Sequence, residues 1–332
     1  CFMHFTEIIG QDYIKNHLIK SAVAGRIPHA QLFVGPEGSG TLAMAIAYAQ
    51  LVLCKNTSQD NSEGNQSCNL KFQSLSHPDL HFIFPNTSND EVKSKPKSAD
   101  FLADFREFTL ANPYGSLFDW YKHLGVKNKQ GEIRVEDATD ILKALALKSY
   151  EGGYKIMIVW MAEKMNIAAS NKILKLLEEP PEKTLFLLIA EDEEAIIQTI
   201  RSRCQVFHFD ALPEKIIAAS LVNRFQVETN LADKIAHQSQ GNYNKAMHFL
   251  KHDEDELPFE EWFVHWVRSA FKAKGNATAI YDLIAWSDSI ASIGRESQKQ
   301  FLNYCIVMFR QALLHNYETK ELVYVEPQTS GF

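Results

Sequence analysis

The stretch Gly35-Pro36-Glu37-Gly38-Ser39-Gly40-Thr41-Leu42 constrains this chain more than any other. It follows the short apolar run Gln31-Leu32-Phe33-Val34 and precedes the mostly apolar segment 41–54. Strand, glycine turn and helix in that order are the setting of a phosphate-binding loop, G-x-x-x-x-G-K-[ST]. The glycine spacing is present, but Thr41 stands where the lysine belongs and Leu42 where the magnesium-binding hydroxyl belongs. Glycines permit a tight strand-to-helix turn with or without phosphate. Gly35, Gly38, Gly40 and Thr41 therefore read as a vestigial phosphate loop kept for its turn. Weak anion binding at the helix N-terminus is the competing reading.

The rest of the chain extends this unit. Apolar runs at 79–84, 154–160, 184–190 and 205–209 read as further strands. Periodic segments at 12–24, 133–147 and 171–179 read as helices, the last stopped by Pro180-Pro181. The near-continuous run 154–160 is that of a central parallel strand covered on both faces. Two polar stretches, 55–67 and 85–100, read as loops or inserts, and the aromatic-rich 101–129 is expected to fold over the sheet. Alternating strands and helices give an open α/β sheet over 1–208. Beyond Leu212-Pro213 no strand is expected. Residues 209–252 read as a small helical domain and 253–332 as a second. In the latter, Phe259, Trp262, Phe263, Trp266, Val267 and Ala270 form one apolar helical stripe, and Phe301, Cys305, Met308, Phe309, Ala312 and Leu313 another. Both read as bundle core.

Bulk properties exclude several classes. The chain has 332 residues, enough for two or three domains. No run approaches about 18 apolar residues, so no membrane span is expected. The start is too short and too quickly polar for a signal peptide, and Met3 reads as the natural first residue. The ending at Phe332 reads as an abrupt stop. A net charge of −7 opposes a role that grips DNA mainly by charge. Five scattered cysteines do not make a disulfide framework, and a reducing cytoplasm is expected. There the N-x-[ST] triplets at Asn56, Asn65, Asn86 and Asn276 carry no meaning.

Several stretches then line up in order: 5–11 (FTEIIGQ), 27–40 (IPHAQLFVGPEGSG), 176–181 (LLEEPP), 200–204 (IRSRC) and 241–247 (GNYNKAM). With these the sequence resembles the clamp-loader branch of the AAA+ ATPases, and within it the delta-prime subunits of bacterial DNA polymerase III. The similarity covers nearly the whole chain, least at 55–67 and 85–130. It implies a P-loop-type AAA+ sheet with flanking helices over 1–208, a helical lid over 209–252 and an oligomerising helical collar over 253–332.

The resemblance also locates what is missing. Hydrolysing relatives end the catalytic strand in an Asp-Glu pair that holds magnesium and polarises water. Here Trp160 and Met161 occupy those places. Glu163, two residues on, reads as a solvated acid. Ala190-Glu191 replaces a polar sensor, and Asn244 replaces a sensor arginine. Hydrolysis and tight ATP binding by this chain are therefore not expected, and no cofactor is implied.

Ser202-Arg203-Cys204 is intact. In clamp loaders this triplet supplies an arginine finger to the ATP of a neighbouring subunit, an effect worth about 10³–10⁵ in rate in switch enzymes. On spacing alone Arg203 is an ordinary surface arginine. Arg201 reads as surface charge and Cys204 as a small buried residue. Family members carry a four-cysteine zinc module, but here only Cys54 and Cys68 fall in that segment. His77 and Asp79 could complete a tetrahedral site, at a spacing that is no recognised pattern. Zinc is not expected, and Cys54 and Cys68 read as free thiols. The implied partners are the polymerase III ATPase (gamma/tau) subunits, the delta subunit and, through them, the sliding clamp and primed DNA. Trp262, Trp266 and Phe309 are the expected collar contacts, and Lys172, Lys175 and Lys183 read as a solvated face. Two competing readings remain at this point: an active AAA+ ATPase with an atypical loop, and an adaptor outside replication.

Overall fold

The computed structural model describes residues 4–56, 64–126, 129–150, 153–251, 258–274 and 276–316. It divides into two compact units, 1–125 with 131–250, and 126–130 with 251–332.

The first unit is built on a parallel sheet of five strands among the described residues: β1 (Ala30–Val34), β2 (Leu80–Ile83), β3 (Lys155–Val159), β4 (Thr184–Ala190) and β5 (Gln205–His208). Their order is β2-β3-β4-β1-β5. β3 and β4 are buried along their whole length, as continuous apolar runs require. At the edge, β5 buries only Phe207 fully. Val34 pairs with Ala190 and His208, while Val159 pairs with Ile83. The chain thus leaves β1, β3 and β4 at one end of the sheet, the end where open α/β sheets bind ligands.

Helices cover both faces: α1 (Asp12–Val23), α2 (Thr41–Leu53), α3 (Gln66–Phe72), α4 (Leu102–Ala111), α5 (Leu117–His123), α6 (Val135–Ala146), α7 (Ile167–Glu178) and α8 (Gln198–Arg201). Every residue of α2 from Leu42 to Leu53 is buried, the behaviour of a helix apolar on all sides. α7 starts at Ile167, earlier than periodicity predicts, because the Asn166 side chain accepts the Ala169 N–H and caps it.

The aromatic segment does fold over the sheet. Phe84 and Phe105 stack at 4.0 Å, and Trp120 meets both edge-on at 5.2 and 5.4 Å. The Trp120 indole N–H donates to the Pro85 carbonyl at 2.8 Å. Part of the polar insert is also structured. Asp137 accepts the backbone N–H groups of Ser98 and Arg134 at 2.7 and 3.0 Å, and buried Asn86 reaches the same carboxylate. Polar composition concealed this because the hydrogen bonds close inside the fold.

Cys54 and Cys68 are not free thiols. They form a disulfide, and both are fully buried. Asn65 N–H donates to the Cys54 carbonyl at 2.9 Å, while the Asn65 side chain caps α3 at the Cys68 N–H. That turn brings the two Cα atoms to 5.3 Å, within bridging range. The other zinc candidates are engaged elsewhere: His77 packs on Phe72, and the Asp79 carboxylate accepts the Tyr150 N–H. No group of three or more potential ligands gathers among the described residues. The part of the 55–67 loop at 57–63 lies outside them.

Three helices complete this unit, α9 (Glu214–Phe225), α10 (Thr229–Ser239) and α11 (Tyr243–Lys251). The second unit contains α12 (Phe259–Lys272), α13 (Ala277–Ser292) and α14 (Arg295–Asn316). Its core gathers Phe263, Phe301 and Cys305, with Phe259, Trp262 and Trp266 against them. Trp266 stacks on Trp286 of α13 at 5.5 Å. Trp262 and Trp266 are half-buried and add to this packing, while Phe309 is exposed. The stripe ends of α12 and α14, Ala270 and Leu313, are exposed. Among the described residues no helix is long and apolar enough to cross a membrane.

Candidate functional site

The glycine turn leaves β1 and enters α2 with Gly38 at φ 74° and Gly40 at φ 92°, backbone that side chains disfavour. The space above it is taken by the chain itself. A Cβ on Gly40 would lie 2.8 Å from a ring carbon of Tyr114, and one on Gly38 would collide with the Asn242 side chain. The Tyr114 hydroxyl accepts the Ile9 N–H at 2.9 Å, and its ring meets that of Tyr243 at 4.8 Å. Asn242 donates to the Glu37 carboxylate at 3.0 Å, and the Tyr243 N–H donates to the Gly38 carbonyl at 3.3 Å. Gln11 ties the loop from below, donating to the carbonyls of Ser39 and Asp210. The cavity that remains, lined by Glu37, Thr41, Tyr114, Trp160 and Glu191 among others, is ≈ 20 Å³. That is room for about one water.

Glu37 brings a carboxyl to the lining of this cavity. Burial raises its pKa, against the opposing hydrogen bond from Asn242. Either protonation state is a poor host: the charged one repels phosphate, and neither supplies the missing cation. Sequence reasoning singled out Gly35, Gly38, Gly40 and Thr41 but missed Tyr114, Asn242 and Glu37. The first two come from segments far away in the chain, and no local spacing announces them.

The other expected stations also carry packing. Trp160 and Met161 are each 3% exposed, and the Trp160 ring packs on Phe105 and Phe108. Glu163 is not a solvated acid. Its Oε1 accepts the Glu191 N–H at 3.2 Å, and its Oε2 is buried with no hydrogen-bond partner among the described residues. Burial raises its pKa. It was misread because the strand end turns inward at Met161, whose φ is 55°. The Ala190 carbonyl accepts the Gly35 N–H at 3.1 Å, so the sensor position has become part of the turn.

Asn244 anchors a buried polar network. It donates to Asp119 at 2.6 Å and accepts from Asn112 at 2.7 Å. Asp119 also pairs with His248 at 3.0 Å and caps α5 through Ser116. Burial alone would raise the Asp119 pKa. The His248 pair and the Ser116 donors outweigh it and hold the carboxyl at about 2.

Ser202-Arg203-Cys204 forms the turn between α8 and β5, and neither Arg203 nor Cys204 lines the loop cavity. The Arg203 side chain is 37% exposed. Its Nη1 donates to the Thr199 carbonyl at 2.9 Å and its Nη2 to Glu178 at the end of α7 at 2.8 Å. Ser202 Oγ donates to the same carbonyl at 3.2 Å. Arg201 pairs with Glu194 at 2.7 Å, as expected of surface charge. Cys204 packs against the sheet core, and burial pushes its thiol up to about 12, so it is no nucleophile at neutral pH. Lys172 of α7 donates to Thr139 at 2.7 Å.

Residues 10–213 match the model of a protein family described as DNA polymerase III, delta subunit. DNA polymerase III subunit delta' of Bacillus subtilis (strain 168) is 25% identical over 244 residues, 74% of this chain and 60% of that protein. The delta' subunit of Haemophilus influenzae is 28% identical over 200 residues, 60% of this chain and 48% of that protein. DNA polymerase III subunit tau of Bacillus subtilis is 25% identical over 251 residues, 74% of this chain and 37% of that protein. The chain therefore spans less than two thirds of the length of each of these relatives. Among solved structures, the RuvB Holliday junction branch migration motor of Thermotoga maritima superposes with a TM-score of 0.45 at 15% identity, covering 79% of this chain and 68% of that one. The family match spans more than half of the chain, which belongs to the DNA polymerase III delta subunit family.

Proposed function

We propose that this chain is a delta-prime-like subunit of a DNA polymerase III clamp loader that does not hydrolyse ATP. It supplies Arg203 as a finger to the ATP of a neighbouring gamma/tau-type subunit, and so helps load a sliding clamp on primed DNA. One contrast carries the reading: the glycine loop is filled by Tyr114 and Asn242, while Arg203 stays at the surface. A planar, permanently charged guanidinium suits a phosphate in trans, where its charge is worth most in the transition state. In this proposal 1–208 is the AAA+ domain, 209–252 its lid and 253–332 the collar. The delta subunit is a further partner, the complex works in the cytoplasm, and the chain carries neither ATP nor zinc.

The alternative, an active ATPase with an atypical loop, would need a cation and a metal-holding acid at the loop. Thr41, Trp160 and Met161 offer neither. The deciding experiment is ATP turnover by a gamma/tau-type subunit with delta, clamp and primed DNA. This chain is titrated in as wild type and as Arg203→Ala, and assayed alone as a control. Silence of the isolated chain, stimulation by wild type and failure of an assembling mutant are the expected results. Turnover by the chain alone, or a mutant as good as wild type, overturns the proposal.

A further inference from the structure

We infer that Glu178 masks Arg203 in the free chain and gives it up to the neighbouring subunit's triphosphate on assembly; this rests on the finger reading above. Glu178 is the last residue of α7, just ahead of the Pro180-Pro181 stop. Arg203 lies on a different element, in the turn before β5, yet the two side chains meet at 2.8 Å. The neighbouring arginine has its own acids, Glu193 and Glu194. Glu178 is thus matched to Arg203, and the fold brings LLEEPP and IRSRC together at this point.

The chemistry of the pair is competitive. A guanidinium has five N–H donors in a planar fork, and the Thr199 carbonyl and Glu178 each take one. A phosphate wants the same fork. It would also meet the Glu178 carboxylate as a like charge, so the pair must open before the finger closes on ATP. Both partners are exposed, at 37% and 43% of their side chains. Pairs of this kind are weak, shifting the population of the free guanidinium by only about 1.4- to 5-fold. A bias of that strength yields to the much larger charge of a triphosphate. Since apparent affinity scales with the competent fraction, removing the mask strengthens engagement by the same factor.

The test uses the assembled complex of this chain with gamma/tau-type ATPase, delta, clamp and primed DNA. ATP turnover is followed against ATP concentration for wild type, Glu178→Gln, Arg203→Ala and the double variant. Glu178→Gln is expected to raise kcat/KM for ATP about 1.5- to 5-fold at low ionic strength. The gain should shrink as salt screens the wild-type pair. In the Arg203→Ala background it should vanish, because the two residues act on one interaction. A merely structural Glu178 would lower turnover in both backgrounds. If Arg203→Ala abolishes stimulation while Glu178→Gln leaves kcat/KM unchanged or lowers it, the mask is overturned and the finger stands. A gain that persists without Arg203 also overturns the mask. If Arg203→Ala stimulates like wild type, the finger reading itself fails.

Discussion

The glycine loop and the Arg203 turn are built in opposite ways. The loop is enclosed by side chains from three distant segments, Ile9–Gln11, Pro113–Gly115 and Asn242–Tyr243, and little more than a water's volume is left. The Arg203 side chain makes one hydrogen bond to a backbone carbonyl and one exposed ion pair. Interiors pack to the density of organic crystals, so a pocket with no ligand to hold is filled by neighbouring side chains. A group meant for a partner must stay accessible and weakly held, since each strong internal contact would have to be broken on binding. The difference separates a turn filled by the chain's own packing from a side chain left accessible.

The comparison can be broken most severely at Arg203. If the turn serves a partner, Arg203→Ala slows turnover at the site it faces by about 10³-fold or more. The thermal midpoint of the isolated chain should hardly move, because exposed pairs contribute little. Turnover in the complex and melting of the isolated variant check the two halves of this statement. A large drop in stability would place Arg203 with the loop, as a folding residue.

Tyr114→Ala should show the reverse pattern. It removes a ring 7% exposed and leaves the Ile9 N–H without its acceptor. The cost should be about 3–5 kcal/mol in urea unfolding. Stimulation by the fraction that remains folded should be preserved. A cost below about 1 kcal/mol would mean that the ring lies over the loop without supporting it.

The helix that follows the loop is held at its far end by the Cys54–Cys68 bond, which closes a sequence separation of 14. Replacing both cysteines by serine should cost about 2–4 kcal/mol under oxidising conditions and nothing further under reducing ones. Thiol labelling of the native, unreduced chain should leave Cys54 and Cys68 unmodified.

The smallest effect is confined to acid. Asp119 has its carboxyl at about 2 in the folded chain, below its usual value of about 3.8. A depressed carboxyl pKa contributes stability that is fully present above the unfolded value and lost as pH falls through the folded one. The window therefore runs from about pH 4 down to about pH 2, with a contribution on the order of 2 kcal/mol. Asp119→Asn should flatten that limb of the stability profile while Arg203 function at neutral pH continues. Urea midpoints between pH 2 and 5 measure it.

Strands 184–190 and 154–160, the all-apolar helix after the glycine turn and the stop at Pro180 were legible because each is a local pattern of period, length or breaker. The absence of lysine, serine/threonine and the Asp-Glu pair was equally local. α13 was not singled out, and its place in the bundle shows only in contacts such as Trp286 on Trp266. Glu163 was misread because its exposure depends on a left-handed backbone turn at Met161.

Sequence alone determined that this chain has a P-loop-type parallel sheet, that Thr41 and Leu42 stand at the lysine and hydroxyl positions of its loop, and that Ser202-Arg203-Cys204 is present. These follow from residue identity at fixed spacings, which no folding can alter. Tertiary structure alone decided that Tyr114 and Asn242 occupy the loop, that Cys54 meets Cys68, and that Glu178 holds Arg203. Each of these joins residues that belong to different elements. Their meeting is set by how the sheet, its insert and helices α9 to α11 pack, a global outcome that no local window of residues encodes.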